Sequence, residues 1–371
     1  MNNLKVTDIR PYLGCDPEFF FKFKGEIVGA EKFIPTKGLT AMQDSRGFGS
    51  TQSKFIIDGV QAELNPRPDQ CRANLANEIA ACFKTLYEEL KKRGNDVTAD
   101  FSRIVEISKE NLMQLDEKSR MFGCAPSKTI YKTKAGVKIA DVDPTEYRVR
   151  AAGGHIHIGT VPFSGYENRI ERALTTDHKK TVAMLDLICG NTCVLVDRDP
   201  GNIERRKVYG KAGEFRLPAH GLEYRTLSNF WLTAYPLMSM AFGMARLAVQ
   251  IVADPNHEML INEFTNKVKA KNVRDAINNN DFDLAMDNFS KIENLILELC
   301  GTSGGAYPID KINIKEFYYF ISKIQSDGLG YWFKEDPLMH WVKLKEAHTG
   351  GFYDYLLCEV KKDMVAKTKA A

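Results

Sequence analysis

The chain has 371 residues, enough for one large domain or two ordinary ones, and its 44% hydrophobic and 27% charged composition is that of a globular protein. A formal net charge of +3 gives no argument for a nucleic-acid-binding surface. The uncharged run from Phe230 to Ala245 is interrupted by Pro236 and closed by Arg246, which is short for a bilayer span and predicts a buried helix instead.

In chain order, Glu18 to Phe23, a turn at Lys24-Gly25 and a return over Glu26 to Ala30 predict a first β-hairpin. Thr36 to Ser53, rich in Gly, Ser, Thr and Gln, predicts a mobile loop that could act as a lid. Phe55 to Ile57, Asp58-Gly59 and Val60 to Leu64 carry the clearest hairpin signal. Pro66 and Pro68 end that strand, and Asp69 is placed to cap the helix that follows. Cys71, Leu75, Ile79, Cys82, Phe83, Leu86 and Leu90 give that helix its apolar face, and Gly94 ends it.

Residues 95 to 150 read as mixed, with loops around Gly123 and around Lys132 to Asp143. Gly153-Gly154 lead into a strand over His155 to Thr160, and a helix is expected from about Asp177 to Leu195. A basic loop over Asp197 to Gly213 holds Arg198, Arg205, Arg206, Lys207 and Lys211. Strands follow at Glu214 to Leu217 and Leu222 to Leu227, and from Trp231 onward the spacing is mostly helical, clearest over Asp281 to Cys300. The expected class is α+β: residues 1–230 give an antiparallel sheet with helices packed on one face, and the helical region 231–371 completes the same domain.

The eight cysteines, Cys15, Cys71, Cys82, Cys124, Cys189, Cys193, Cys300 and Cys358, lack the paired spacing of a zinc site. No signal peptide opens the chain, so reduced thiols in a cytoplasm are the simplest reading.

Five segments repeat one pattern: Asp16-Pro17-Glu18, Glu63-Leu64-Asn65, His155-Ile156-His157, Glu214-Phe215-Arg216 and Glu223-Tyr224-Arg225. Residues two apart on a strand share a face, so each segment buries an apolar residue and gathers ionisable groups on the other side. Such a face is costly unless water, metal or a phosphorylated ligand satisfies it. Asp16, Glu18 and Glu63 together suit magnesium or manganese; singly, each also fits a solvated surface carboxylate. His155 and His157 stand among glycines that permit close approach. Arg216 and Arg225 can bind phosphate or pair with Glu214 and Glu223. Arg205, Arg206 and Lys207 fit either a nucleotide clamp or a solvated run. No Gly-Lys-Thr phosphate loop and no Gly-x-Ser-x-Gly elbow is present, and Gly301 to Gly305 reads as a helix-ending loop.

Taken in order, Gly14-Cys15-Asp16-Pro17-Glu18-Phe19-Phe20, Val60-Gln61-Ala62-Glu63, Gly154-His155-Ile156-His157 and Leu222-Glu223-Tyr224-Arg225 resemble the metal-binding strands, the His-x-His strand and the terminal Glu-x-Arg strand of the glutamine synthetase and glutamate–cysteine ligase superfamily. The nearest branch is the phage-type carboxylate–amine ligases, the amidoligases of type 2. The resemblance implies the curved-sheet fold of that superfamily and assigns Asp16, Glu18, Glu63, His155 and Glu223 to divalent metal, although glutamate is usual where Asp16 stands. It sets His157 and Arg206 near the nucleotide, and Arg216 and Arg225 on phosphate or the activated carboxylate. It implies an ATP- and magnesium- or manganese-dependent ligase acting on small-molecule or peptide carboxylates and amines through an acyl phosphate, in a cytoplasm (the host's, if the gene is a phage's). The alternatives are a phosphotransferase of the guanidino-kinase type and an inactive nucleotide-binding or interaction module.

Overall fold

The computed structural model describes residues 6–7, 9–94, 96–121, 127–131, 143, 146–160, 167–302 and 336–344. The loops expected around Gly123 and Lys132, and the end of the Gly301 to Gly305 segment, lie outside the described residues.

The described strands are β1 Tyr12–Cys15, β2 Glu18–Phe23, β3 Glu26–Val28, β4 Leu39–Thr40, β5 Lys54–Asp58, β6 Gln61–Asn65, β7 Val97–Asp100, β8 Ile104–Glu106, β9 Lys128–Thr129, β10 Val149–Ala151, β11 Ile156–Gly159, β12 Glu214–Arg216 and β13 Gly221–Tyr224. Every pairing is antiparallel, and the α+β class holds. The single expected sheet, however, is divided: one sheet runs β1-β11-β13-β12-β9, a second runs β3-β2-β6-β5-β4 with β7 also on β2, and β8 pairs with β10.

The two larger sheets meet where the chain leaves β1 and enters β2. Asp16 and Pro17 make that crossing. The Leu64 N–H donates to the Pro17 carbonyl (3.0 Å), and the Glu18 N–H donates to the Gly153 carbonyl (2.9 Å). Asp16 therefore lies on the crossing and Glu18 opens the second sheet, because β1 ends at Cys15 and β2 starts at Glu18.

Both hairpins form. Lys24 and Gly25 have φ of 51° and 86°, the left-handed pair that a tight turn between twisted strands requires. In the second hairpin Asp58 pairs with Gln61, so Gly59 and Val60 form the turn, one residue later than the Asp-Gly pair predicts. The loop 36–53 is tied down at Met42, Gly49 and Ser53: the buried Glu78 carboxylate accepts from the Gly49 N–H (3.0 Å) and the Ser53 hydroxyl (2.8 Å), and the Thr85 hydroxyl accepts from the Met42 N–H (2.9 Å).

The 20-residue helix Arg72–Lys91 buries Leu75, Ile79, Cys82, Phe83 and Leu86, matching the predicted apolar face. Asp69 accepts the Cys71 N–H (2.7 Å) at its start. This helix packs on the second sheet through Phe19, Phe55, Phe83 and Phe101, and Phe83 stacks on Trp341 of the helix Pro337–Lys343. Truncating a buried ring of this kind costs about 3–5 kcal/mol. One hydrophobic cluster draws on residues before and after 230: Ile156, Leu222 and Tyr224 share it with Phe242, Ile277 and Phe289.

The helix expected over 177–195 is present as His178–Met184 and Asn191–Val196, joined by a π-helical stretch over Leu185–Gly190. The basic stretch 197–213 is not all loop, since Gly201–Val208 forms a helix. The uncharged run from Phe230 begins in the 3-10 helix Asn229–Thr233 and continues in the helix Tyr235–Ala253, and no helix among the described residues is long and apolar enough to cross a membrane.

Candidate active site

Register decides which side chains meet. In the first sheet His157 pairs with Gly14 and Glu223, and Glu223 pairs with Arg216. Paired residues share a face, so His157, Glu223 and Arg216 form one row, with Gly14 at its end. On the opposite face Cys15, Ile156, Tyr224 and Phe215 are buried against the helices. In the second sheet Glu18 pairs with Glu63 and Glu63 pairs with Ile56. Asp58, two residues from Ile56, shares that face.

Two groups result. Asp16, His157 and Glu223 bring one ligand atom each within 4.8 Å of one another, and so do Glu18, Asp58 and Glu63. Asp16, at the crossing, is gripped by both imidazoles: His155 Nδ1 lies 3.1 Å from Asp16 Oδ1, and His157 Nε2 lies 3.0 Å from Asp16 Oδ2. His155 Nδ1 is also 3.5 Å from Glu223 Oε1, and its Nε2 is buried without a hydrogen-bond partner among the described residues. Arg225, fully buried just beyond β13, pairs with Glu223 Oε1 and donates from Nε to the Ser127 hydroxyl (2.9 Å). Arg216 Nη1 lies 3.8 Å from the same Glu223 oxygen. Glu214 instead accepts the Gly210 N–H (2.9 Å).

The electrostatics of the two groups differ. Burial works against ionised Asp16, but the His155 and His157 rings outweigh it and hold that carboxyl far below the usual range. Burial would depress His157, yet Asp16 raises it above an ordinary histidine. In the second group, burial, then Asp16 and Asp58, push Glu63 up to about 9. Burial also raises Glu18, although His155 opposes the shift. These are carboxylates crowded together in low dielectric, the arrangement that a hard divalent cation relieves. Carboxylate oxygens are the donors that hard divalent cations take, and an imidazole nitrogen can complete such a set. The residues present thus fit a metal, with Glu18, Asp58 and Glu63 as one donor set and Asp16, His157 and Glu223 as the other.

The sequence-derived site residues largely converge. Asp16, Glu18, Glu63, His155, His157, Arg216, Glu223 and Arg225 stand on or beside the two groups. Arg206 does not join them: it is buried, donates to the Asn280 side chain (3.0 Å), and feels Arg205, Asp197, Tyr224 and Cys193. Its neighbour Arg205 is a structural staple, donating to the carbonyls of Ala152 (2.9 Å), Thr226 (3.1 Å) and Leu227 (2.7 Å). Three residues go unnoticed in the sequence. Asp58 reads as a turn residue until its register with Glu63 is known. His220, whose Nε2 lies 2.8 Å from His157 Nδ1, sits in a turn without a motif. Tyr209 falls in a stretch whose charge hides its aromatic ring.

One comparison bears on this arrangement: the model of a carboxylate–amine ligase family matches 161 of the 371 residues. The family concerned is described as phage phiEco32-like COOH.NH2 ligase-type 2, and residues 143–303 match its model. This bears out the resemblance to the phage-type carboxylate–amine ligases. The matched span holds His155, His157, Arg216, Glu223 and Arg225; Asp16, Glu18, Asp58 and Glu63 precede it. No curated protein matches the chain.

Proposed function

We propose that the chain is an ATP-dependent carboxylate–amine ligase that forms an amide through an acyl phosphate, on a sheet of the glutamine synthetase kind. The observation that carries this reading is the pairing of two acidic donor sets with the buried Arg225 and the half-buried Arg216 guanidinium groups at one junction of two sheets. When bound, magnesium or manganese would neutralise nucleotide phosphates and align the transferred group.

The chain's own residues do the rest. Glu18, Asp58 and Glu63 form one anionic cradle, and Asp16, His155, His157 and Glu223 form the other. Arg225 and Arg216 offer guanidinium donors beside Glu223, where they would steady charge developing on the phosphoryl group and on the acyl phosphate oxygens. A substrate carboxylate attacks the γ-phosphorus, releasing ADP. The amine then attacks the acyl carbon and gives up a proton, the acyl carbon–oxygen bond breaks, and phosphate leaves carrying the former carboxylate oxygen. Arg206 is outside this scheme. Such chemistry draws on cytoplasmic ATP, which for a phage product means the host's cytoplasm.

The test is an assay of ADP and phosphate release against panels of small amino acids and peptides as carboxylate and amine donors. Release is expected only with a carboxylate and an amine together. A stable phosphorylated product formed without any amine would overturn the reading in favour of phosphoryl transfer.

A further inference from the structure

Tyr209 stands one residue beyond the helix Gly201–Val208, in extended backbone (φ −158°, ψ 177°), with its N–H on the Arg205 carbonyl (2.9 Å). Its hydroxyl donates to Glu18 Oε2 at 2.8 Å. The same oxygen accepts from Gln61 Nε2 (2.7 Å) and from the Gly153 N–H (2.7 Å). Three donors saturate Oε2 and leave Oε1 as the Glu18 atom available to the Asp58–Glu63 group. A methyl group on residue 153 would come within 2.4 Å of His155 Nε2 and 2.8 Å of the Tyr209 hydroxyl, so glycine there is what lets backbone, imidazole and phenol converge on one carboxylate.

The ring of Tyr209 faces the other half of the site. Its centroid is 5.9 Å from the His155 ring, 4.6 Å from Arg205 Cζ and 5.7 Å from Arg225 Cζ. These distances suit attraction between a guanidinium and an aromatic face. Arg205 is itself held by three backbone carbonyls, so the ring is clamped on a fixed support.

We propose that Tyr209 is a positioning residue with two separable tasks: its hydroxyl presents Glu18 as a one-oxygen metal donor, and its ring backs Arg225 for the anionic ligand. The inference rests on the proposed metal and phosphate roles. It goes beyond them in joining the two donor systems through one side chain that binds neither ligand itself.

The experiment compares the full-length wild type with Tyr209→Phe, Tyr209→Leu and Glu18→Gln. Manganese alone is titrated by the spin-resonance signal of the free ion. A non-hydrolysable ATP analogue is then titrated by calorimetry at saturating manganese. Removing an outer partner of a metal-binding carboxylate typically weakens the metal 10–100-fold, so Tyr209→Phe is expected to lose about that much manganese affinity. With the ring retained, its analogue affinity at saturating metal should stay within about twofold of wild type, whereas Tyr209→Leu should lose roughly a further three- to thirtyfold. Wild-type manganese affinity in Tyr209→Phe, alongside a loss in Glu18→Gln, would overturn the hydroxyl's task and leave the metal site standing. Equal analogue affinity in Tyr209→Phe and Tyr209→Leu would overturn the ring's task. Undiminished manganese binding in Glu18→Gln would instead sink the metal site and this inference with it.

Discussion

At the scale of single residues, Glu223 is where the competing demands meet. It is buried, touches Arg225, and has His155 and Arg216 within 3.8 Å. A buried ion pair adds little net stability over an apolar pair, because desolvation offsets attraction, but removing one partner strands the other. Arg225→Met is therefore expected to destabilise the fold by about 3–5 kcal/mol. Arg225→Met combined with Glu223→Gln should cost clearly less than the two single losses added, since neither charge is then stranded. Urea denaturation of the four proteins measures the cycle, and strict additivity would deny the coupling. The candidates Glu223 and Arg225 are legible in the sequence because alternation on a strand is a local property. Asp58 is not, because Glu63 is five residues along the chain and across a turn; only the register, which pairs Ile56 with Glu63, puts Asp58 on the face of the acids. Arg206 illustrates the reverse limit. Charge density on residues 205–207 suggests a ligand clamp, whereas helix geometry turns Arg205 and Arg206 inward onto carbonyls and an asparagine.

Among the elements, the hairpins and the helix Arg72–Lys91 follow from period and turn chemistry, while the π-helical stretch Leu185–Gly190 does not. Its residues are apolar apart from Asp186, so the run satisfies a 3.6-residue period nearly as well as a wider one. The consequence is that Asp186 points behind the first sheet, where its Oδ1 accepts from the Tyr224 hydroxyl (2.8 Å) between the two site residues Glu223 and Arg225. Burial pushes Asp186 up to about 7, against the Tyr224 hydrogen bond that favours the ionised form. A carboxyl raised in the folded state contributes its full stabilisation below its unfolded value near 3.9, and that contribution is lost as pH rises through the folded value. Wild-type stability is thus expected to fall relative to Asp186→Asn between about pH 4 and about pH 7, by on the order of a few kcal/mol. Denaturation curves across that range decide it: a pH-independent difference between the two proteins would show that Asp186 is ionised throughout.

In the molecule as a whole, the division into two sheets places the site at a seam. The first sheet supplies His157, Arg216 and Glu223, the second supplies Glu18, Asp58 and Glu63, and Asp16 lies on the segment that passes between them. No local motif discloses that seam, because it depends on strands far apart in the chain. It makes a proposed cation a fastener as well as a reactant's partner. A ligand that binds only the folded state adds RT ln(1 + [L]/Kd), about 2.7 kcal/mol when present at 100 times its Kd. Without metal, the second group carries the opposite sign, since burial and the neighbouring acids Asp16 and Asp58 push Glu63 up to about 9. Glu63→Gln removes that repulsion along with a donor oxygen. The variant should therefore melt at the wild-type temperature or higher in chelator, yet gain much less than the wild type when manganese is added. Thermal melts in chelator and in manganese test both halves of the prediction. If the two proteins gained equally from manganese, the cation would not be held at Glu63. If the variant melted lower in chelator, Glu63 would instead be serving the apo fold through bonds such as the one it accepts from the Asn65 amide (2.8 Å).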